Sequence, residues 1–152
     1  MLELRLRKFL LLLIKPSHYS DEGYVIRWWR TTIPSNSLAA VYGIAADCAE
    51  RRVLGPDVTI DIDAIDETNT RLDVPALLAR FQRNGGLGLV ALVGVQSNQY
   101  PRALDIARPF REAGVPVIMG GRFSAVAKRI GGKWLYVTDH ASAEPPPAAA
   151  KP

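Results

Sequence analysis

The apolar run Leu89-Val90-Ala91-Leu92-Val93-Gly94-Val95 passes directly into the polar segment Gln96-Ser97-Asn98-Gln99-Tyr100-Pro101, which has the composition of a helix start. Continuous apolar runs of this length are typical of parallel strands that are covered on both faces. In an open parallel sheet, ligands bind beyond the carboxyl ends of the strands. This stretch therefore indicates the fold, and it also predicts where on the fold a ligand would bind.

Strands and helices are predicted to alternate along the chain on both sides of this stretch. Apolar residues at helical spacing predict helices around Leu38–Ala49, Val74–Phe81 and Ala103–Phe110. The other predicted strands are Phe9–Ile14, Val58–Ala64, which alternates with polar residues as an edge strand does, and Val115–Met119. Right-handed crossovers place such strands in one sheet. The sequence thus predicts an α/β fold, a Rossmann-like (flavodoxin-like) open parallel sheet with helices on both faces.

The carboxyl-terminal part of the chain has a different pattern. We expect a short helix over Ser124–Ile130, and a fifth strand over Lys133–Thr138 after the turn Gly131-Gly132. Residues 1–140 are expected to form one domain. Residues 141–152 are rich in proline and alanine, a composition that predicts a disordered tail.

Composition excludes several classes of protein. The formal net charge of +4 is modest. A nucleic-acid-binding surface needs clustered basic residues with aromatic residues that stack on bases, and the only candidate is Arg27-Trp28-Trp29-Arg30. We therefore expect no nucleic-acid binding. Cys48 is the only cysteine, which rules out an intrachain disulfide and a cysteine-rich cluster. It is expected to be a small core residue in a reducing compartment.

The apolar segment Phe9–Ile14 follows basic residues, as the core of an export signal does. It has too few residues to span a bilayer, and Lys15-Pro16 ends it without a small-residue cleavage site. A buried first strand is the better interpretation. We therefore expect a cytoplasmic protein without membrane association.

The loops that follow the strands are predicted to bring neutral polar groups to one edge of the sheet. Such a rim suits a large, polar, mostly uncharged ligand better than a phosphate cluster. Glycines at that edge would let a ligand approach the backbone, although they could equally serve only to make the turn. The candidate groups are Thr31, Thr32, Ser35 and Asn36 after the first strand, Asp66, Glu67 and Asn69 after the second, Gln96, Ser97 and Asn98 after the third, and Gly120 and Gly121 after the fourth.

Familiar catalytic motifs are missing from the sequence. There is no G-x-x-x-x-G-K-[ST] loop, no G-x-G-x-x-G at the first helix and no G-x-S-x-G elbow. His18, in the long first loop, could reach the ligand edge, but a lone loop histidine is more often simply solvated. We therefore predict no catalytic residue and no protein ligand to a metal.

Two adjacent tryptophans, Trp28 and Trp29, are unusual in a polar loop. Packing of one ring into the core would explain one of them. The other would then be a platform for a flat ligand or a docking surface for another domain.

Long loop motifs of this chain resemble the amino-terminal domain of cobalamin-binding radical S-adenosylmethionine enzymes. The resemblance covers about residues 9–121. It implies a Rossmann-like domain that holds a corrinoid against the carboxyl ends of the strands, with the nucleotide tail near Gly120 and Gly121. The segments that carry it are Asp21–Arg30, Thr32–Leu38, Tyr42-Gly43, Asp66–Asn69, Val93–Gln99 and Pro101–Asp105.

The chain also departs from that family. The D-x-H-x-x-G motif that supplies a histidine to cobalt in other cobalamin domains is absent, and Gln96-Ser97-Asn98 replaces the usual S-x-L turn. The resemblance therefore implies base-off binding without a histidine ligand, with Gln96 or Ser97 facing the corrin. The family's C-x-x-x-C-x-x-C cluster motif is also absent, so we expect a truncated or frameshifted product, or a stand-alone fragment, without the radical reaction.

The leading hypothesis from the sequence is a cobalamin-binding domain that has no catalytic activity of its own. Its predicted ligand contacts are Thr32, Ser35, Asn36, Gln96, Ser97, Asn98, Gly120 and Gly121, with Asp66, Glu67 and Asn69 at the rim. The alternative is a protein-interaction module with a vestigial ligand site. In that case Trp28 and Trp29 would dock on a radical S-adenosylmethionine domain or another partner protein.

Overall fold

The computed structural model describes residues 7–29 and 35–121 in full, and residues 123–130 and 133–141 by their backbone. Strands and helices alternate up to the fourth strand, and two further strands follow. The elements in chain order are β1 (Arg7–Lys15), α1 (Asn36–Glu50), β2 (Val58–Asp66), α2 (Val74–Arg83), β3 (Gly88–Val95), a short 3₁₀ turn (Ser97–Gln99), α3 (Tyr100–Glu112), β4 (Val117–Gly121), β5 (Phe123–Ile130) and β6 (Lys133–Ala141).

The strands form one sheet in the order β2-β1-β3-β4-β5-β6. Neighbours among β1 to β4 are parallel, which confirms the predicted α/β Rossmann-like open sheet. β2 lies at one edge, as its alternating pattern predicts. The chain moves from β1 to β2 in one direction and from β2 past β1 to β3 in the other, so the loops after β1 and β3 diverge at the carboxyl edge. A crevice at such a switch point is the usual ligand site of this fold.

Successive side chains along each central strand pack on opposite faces of the sheet. The larger core lies under α2 and α3, where the rings of Phe81 and Phe110 meet edge-on with centroids 6.0 Å apart. The smaller core lies under α1 and contains Leu13, Ala45 and Val93. Two helices thus cover one face of the parallel sheet, and α1 covers the other.

Local sequence signals explain where the helices begin. Ser35 caps α1, since its Oγ accepts a hydrogen bond of 3.2 Å from the backbone N–H of Leu38. Asp73 caps α2 in the same way through Ala76, at 3.0 Å. α1 ends at Glu50, one residue after the end of the predicted helix Leu38–Ala49.

Three local predictions are wrong. Ser124–Ile130 is not a helix, because this segment belongs to β5 and pairs with β6 in an antiparallel hairpin. The sequence Gly131-Gly132 between these two segments is typical of a hairpin turn, and this signal outweighs the helical interpretation. The predicted fifth strand does form, as part of β6. Cys48 is half-buried rather than a core residue, and Gly120 and Gly121 are the last residues of β4 rather than a loop.

Candidate functional site

The carboxyl edge brings the start of α1 next to the end of β3. A methyl group on Gly94 would lie 3.1 Å from the Cβ of Ser37, so helix and strand are in close contact there. β4 adjoins the same point, because Gly121 pairs with Val95 in the sheet register. Ser35 is half-buried and Asn36 is exposed at this helix start. Three of the four predicted groups of site residues are therefore neighbours, while Thr31 and Thr32 lie outside the described residues.

The two glycines of β4 have different surroundings. A Cβ on Gly121 would overlap the carbonyl oxygen of Val95 and lie 2.8 Å from its nitrogen, so the close approach at this glycine is between two strands. A Cβ on Gly120 would meet no atom of the described residues within 4 Å. Of the two glycines, Gly120 is the one at which the described part of the chain leaves space for a ligand.

A turn after β3 presents the predicted polar residues Gln96, Ser97 and Asn98 to solvent. Its shape is held by Gln99, which is buried. The Gln99 Oε1 accepts a hydrogen bond of 2.9 Å from the Gln96 backbone N–H, and its Nε2 donates one of 2.9 Å to the Pro16 carbonyl. Asn98 is expected to cap α3, but it lies within the 3₁₀ turn, one residue before the N-cap Gln99.

Glu67 was expected at the rim of the site and is instead buried, with 1% of its surface exposed. Arg102 in the first turn of α3 donates to both carboxylate oxygens, from Nε at 3.0 and 3.1 Å and from Nη2. The backbone N–H of Ser17 donates to Oε2 at 3.1 Å. Both oxygens are engaged within the protein, and Glu67 is therefore a structural anchor rather than a rim group.

Tyr19 and Asp105 extend this ion pair to the surface. The Tyr19 hydroxyl donates to Asp105 at 2.6 Å, and the guanidinium of Arg102 lies 5.8 Å from the centre of the Tyr19 ring. Burial, and then the hydrogen bond to Asp105, raise the pKa of Tyr19 above its usual value. Burial opposes the charge on Arg102, but hydrogen bonds to Glu67 and Tyr19 outweigh it and raise the pKa of the guanidinium.

Sequence reasoning missed Arg102 as the partner of Glu67, and Tyr19 as a second partner of Arg102. The three residues lie on three different segments, and Glu67 and Arg102 are 35 positions apart. No local motif or periodicity relates them. Only the folded sheet, which brings the loops after β1 and β2 against the start of α3, places them together.

The loop between β1 and α1 is ordered over its first part. An antiparallel bridge joins Tyr19 to Val25, and the Ser17 hydroxyl donates to the Ile26 carbonyl. The Ile26 N–H donates back to the carbonyl of half-buried His18 at 3.0 Å. These contacts form a small hairpin that lies over the carboxyl edge beside α3.

The hairpin leads to the tryptophan pair, and neither ring enters the core. Trp28 is 60% exposed and Trp29 is 93% exposed, so the interpretation that one ring packs inside is wrong. The Trp28 backbone is nonetheless fixed, because its N–H donates to the Thr68 carbonyl at 2.7 Å. A backbone that is hydrogen-bonded at Trp28 thus presents two large apolar rings to solvent, and Tyr24 of the same loop is 75% exposed.

A second concave region lies toward the amino ends of the strands. It has a volume of about 250 Å³ and is lined by Lys8, Leu10, Asp61, Arg80, Arg83 and Asn84. Arg80 is already paired with Asp63, and Asn84 donates to the Lys8 carbonyl at 2.8 Å. Two of its polar residues, Arg80 and Asn84, therefore join α2 to the sheet.

Comparison of the chain with protein-family models, with curated proteins and with solved structures finds no match in any of the three. The class that the fold defines is the open-sheet α/β domain with a switch point between β1 and β3. None of the helices in the described ranges is both long and apolar enough to cross a membrane.

Proposed function

We propose that this domain binds a corrinoid across the carboxyl edge of its parallel sheet, on the side of α1. The observation that carries the proposal is the open space at Gly120, next to the exposed amide and hydroxyl groups of Gln96, Ser97 and Asn98. A large, mostly neutral ligand with many amide side chains would match neutral donors and acceptors of this kind. Two segments that carry the resemblance to cobalamin-binding domains, Asp66–Asn69 and Val93–Gln99, include the ends of β2 and β3 at the same edge.

The residues of the edge fit such a ligand in part. Gly120 leaves room for a close approach to the backbone, and Ser35 and Asn36 lie at the start of α1 beside β3. Gly121 does not contribute space, because Val95 fills it. Glu67 does not contribute a polar contact, because Arg102 and Ser17 engage it. The proposed contacts are therefore Ser35, Asn36, Gln96, Ser97, Asn98 and Gly120, with Thr32 as the expected neighbour.

Titration of the purified protein with hydroxocobalamin, followed by visible absorption and by retention of colour on gel filtration, tests the proposal. We expect a bound, coloured complex whose spectrum differs from that of the free corrinoid. Free-cofactor spectra and complete separation on the column would contradict it. The bound spectrum of His18→Ala should equal that of the wild type, because the proposed binding uses no histidine ligand to cobalt.

A bulky substitution at Gly120 tests whether the corrinoid binds at this edge of the sheet. Gly120→Phe places a ring at a position where a Cβ meets no atom of the described residues within 4 Å, so the fold should survive while corrinoid binding is lost. Gln82→Phe is the matched control, since it adds the same ring on the exposed carboxyl-terminal turn of α2, at the opposite edge of the sheet. Equal binding by both variants would exclude the proposed edge.

The exposure of Trp28 and Trp29 favours one alternative, a protein-interaction module. Exposed large aromatic residues on a rigid loop are typical anchors of protein interfaces. Under this alternative, Trp28→Ala with Trp29→Ala abolishes capture of a partner and leaves corrinoid binding unchanged. Under the corrinoid proposal, the Gly120→Phe variant is the one that loses function.

A further inference from the structure

The first part of the β1–α1 loop is attached to the rest of the protein at several separate points. The Pro16 carbonyl accepts from Gln99, the Ser17 N–H donates to Glu67, and the Trp28 N–H donates to Thr68. These partners come from the loops that follow β2 and β3. Loops on a protein surface are ordinarily more mobile than the strands and helices that they connect. These hydrogen bonds instead hold the loop backbone against two neighbouring loops.

Glu67 occupies the centre of these attachments. Its carboxylate is buried, and it joins the loop backbone at Ser17 to the guanidinium of Arg102 on α3. Arg102 in turn contacts the ring and hydroxyl of Tyr19, two residues further along the same loop. A buried charge that is bonded in this way fixes geometry, because any displacement of the loop leaves the carboxylate or the guanidinium partly unpaired.

We infer that Glu67 and Arg102 are positioning residues that lock the hairpin of residues 17–28 onto the carboxyl edge beside α3. The lock closes that side of the edge and holds the backbone of Trp28 in one place. This arrangement leaves the side of α1 for the approach of a ligand. The consequence for corrinoid affinity rests on the proposed function, whereas the lock itself does not.

Hydrogen–deuterium exchange of backbone amides tests the lock in the full-length protein. Glu67→Gln keeps the shape of the side chain and removes its charge. We expect exchange in residues 17–28 to accelerate about tenfold or more, while exchange in β3, at residues 88–95, stays unchanged. Unchanged exchange in the loop, or equal acceleration in loop and strand, would overturn the inference.

Asp63→Asn is the matched control. It removes the carboxylate that pairs with Arg80, in an ion pair that joins β2 to α2 and does not involve the loop. Its exchange in residues 17–28 should equal that of the wild type. Acceleration of the loop in this variant would show that any loss of an ion pair frees it, and would overturn the assignment to Glu67.

Tyr19→Phe keeps the test decisive if Glu67→Gln does not fold. It preserves the ring beside Arg102 and removes only the hydroxyl contacts. We expect about two- to fivefold faster exchange in residues 17–28 and no change in β3; an unchanged loop would contradict the lock. Hydroxocobalamin titration of the same variants is a separate measurement, so absence of binding by the wild type would refute the proposed function and leave the exchange result standing.

Discussion

Gly121 of β4 lies so close to Val95 of β3 that any β-carbon on it would overlap the Val95 carbonyl oxygen. The register of the two strands shifts between Leu92 and Val95, which brings their ends together at this pair. The glycine is therefore required for the pairing of two strands. Its neighbour Gly120 has no such restriction.

This difference predicts unequal effects of the same substitution at adjacent positions. Gly121→Ala should lower the free energy of unfolding by about 1–3 kcal/mol, because backbone atoms must move to admit the methyl group. Gly120→Ala, which meets open space, should change it by less than about 0.5 kcal/mol. Urea unfolding of the two variants measures both values. Equal destabilisation would contradict the contact with Val95.

The parallel part of the fold could be predicted from the sequence, because its signals are local. Val58–Ala64 alternates apolar and polar residues and lies at an edge, while Leu89–Val95 is apolar throughout and lies between two strands. A strand that is covered on one face alternates apolar and polar residues, whereas a strand that is covered on both faces is apolar throughout. The helix cap at Ser35 is equally local.

The contacts of the candidate site could not be predicted in the same way. The sequence predicts Glu67 at the rim of the site, because its neighbours in the sequence are polar and charged. Its burial depends on Arg102 and on the Ser17 backbone, both remote in the sequence. Likewise, the open space at Gly120 and the filled space at Gly121 depend on strand register, which a pair of glycines does not encode.

Phe110 tests the larger core. It is completely buried and meets Phe81 edge-on, so Phe110→Ala removes a ring from between α2, α3 and the sheet. We expect a loss of about 3–5 kcal/mol in the free energy of unfolding, measured in urea or by calorimetry. Leu104→Ala on the same helix is the control, because Leu104 is partly exposed and should cost much less. Comparable losses would contradict the described packing of α3.

Tyr19 gives a pH dependence whose sign follows from its environment. The pKa of Tyr19 in the folded protein lies above the usual value of 10.0, so the folded state retains the proton more tightly than the unfolded state. The stabilisation is therefore complete below pH 10 and is lost as the pH rises through the folded pKa. Tyr19→Phe should be less stable than the wild type by about 1 kcal/mol at pH 8.

This difference between Tyr19→Phe and the wild type should shrink as the pH rises above 10. Urea unfolding of both proteins at several pH values from 8 to 11 measures it, and the comparison cancels the titration of lysines common to both. A difference that is constant with pH would mean that folding does not raise the pKa of Tyr19, and would contradict its burial and its hydrogen bond to Asp105.

Trp28 and Trp29 should contribute little to stability, because both rings lie largely in water and the Trp28 backbone makes its hydrogen bond to Thr68 with any side chain. The double substitution Trp28→Ala with Trp29→Ala should change the free energy of unfolding by less than about 0.5 kcal/mol. It should also reduce self-association at high concentration, since it removes an exposed apolar patch. Urea unfolding and light scattering measure the two effects. A loss of several kcal/mol would show that the rings pack against the protein, which would contradict their exposure.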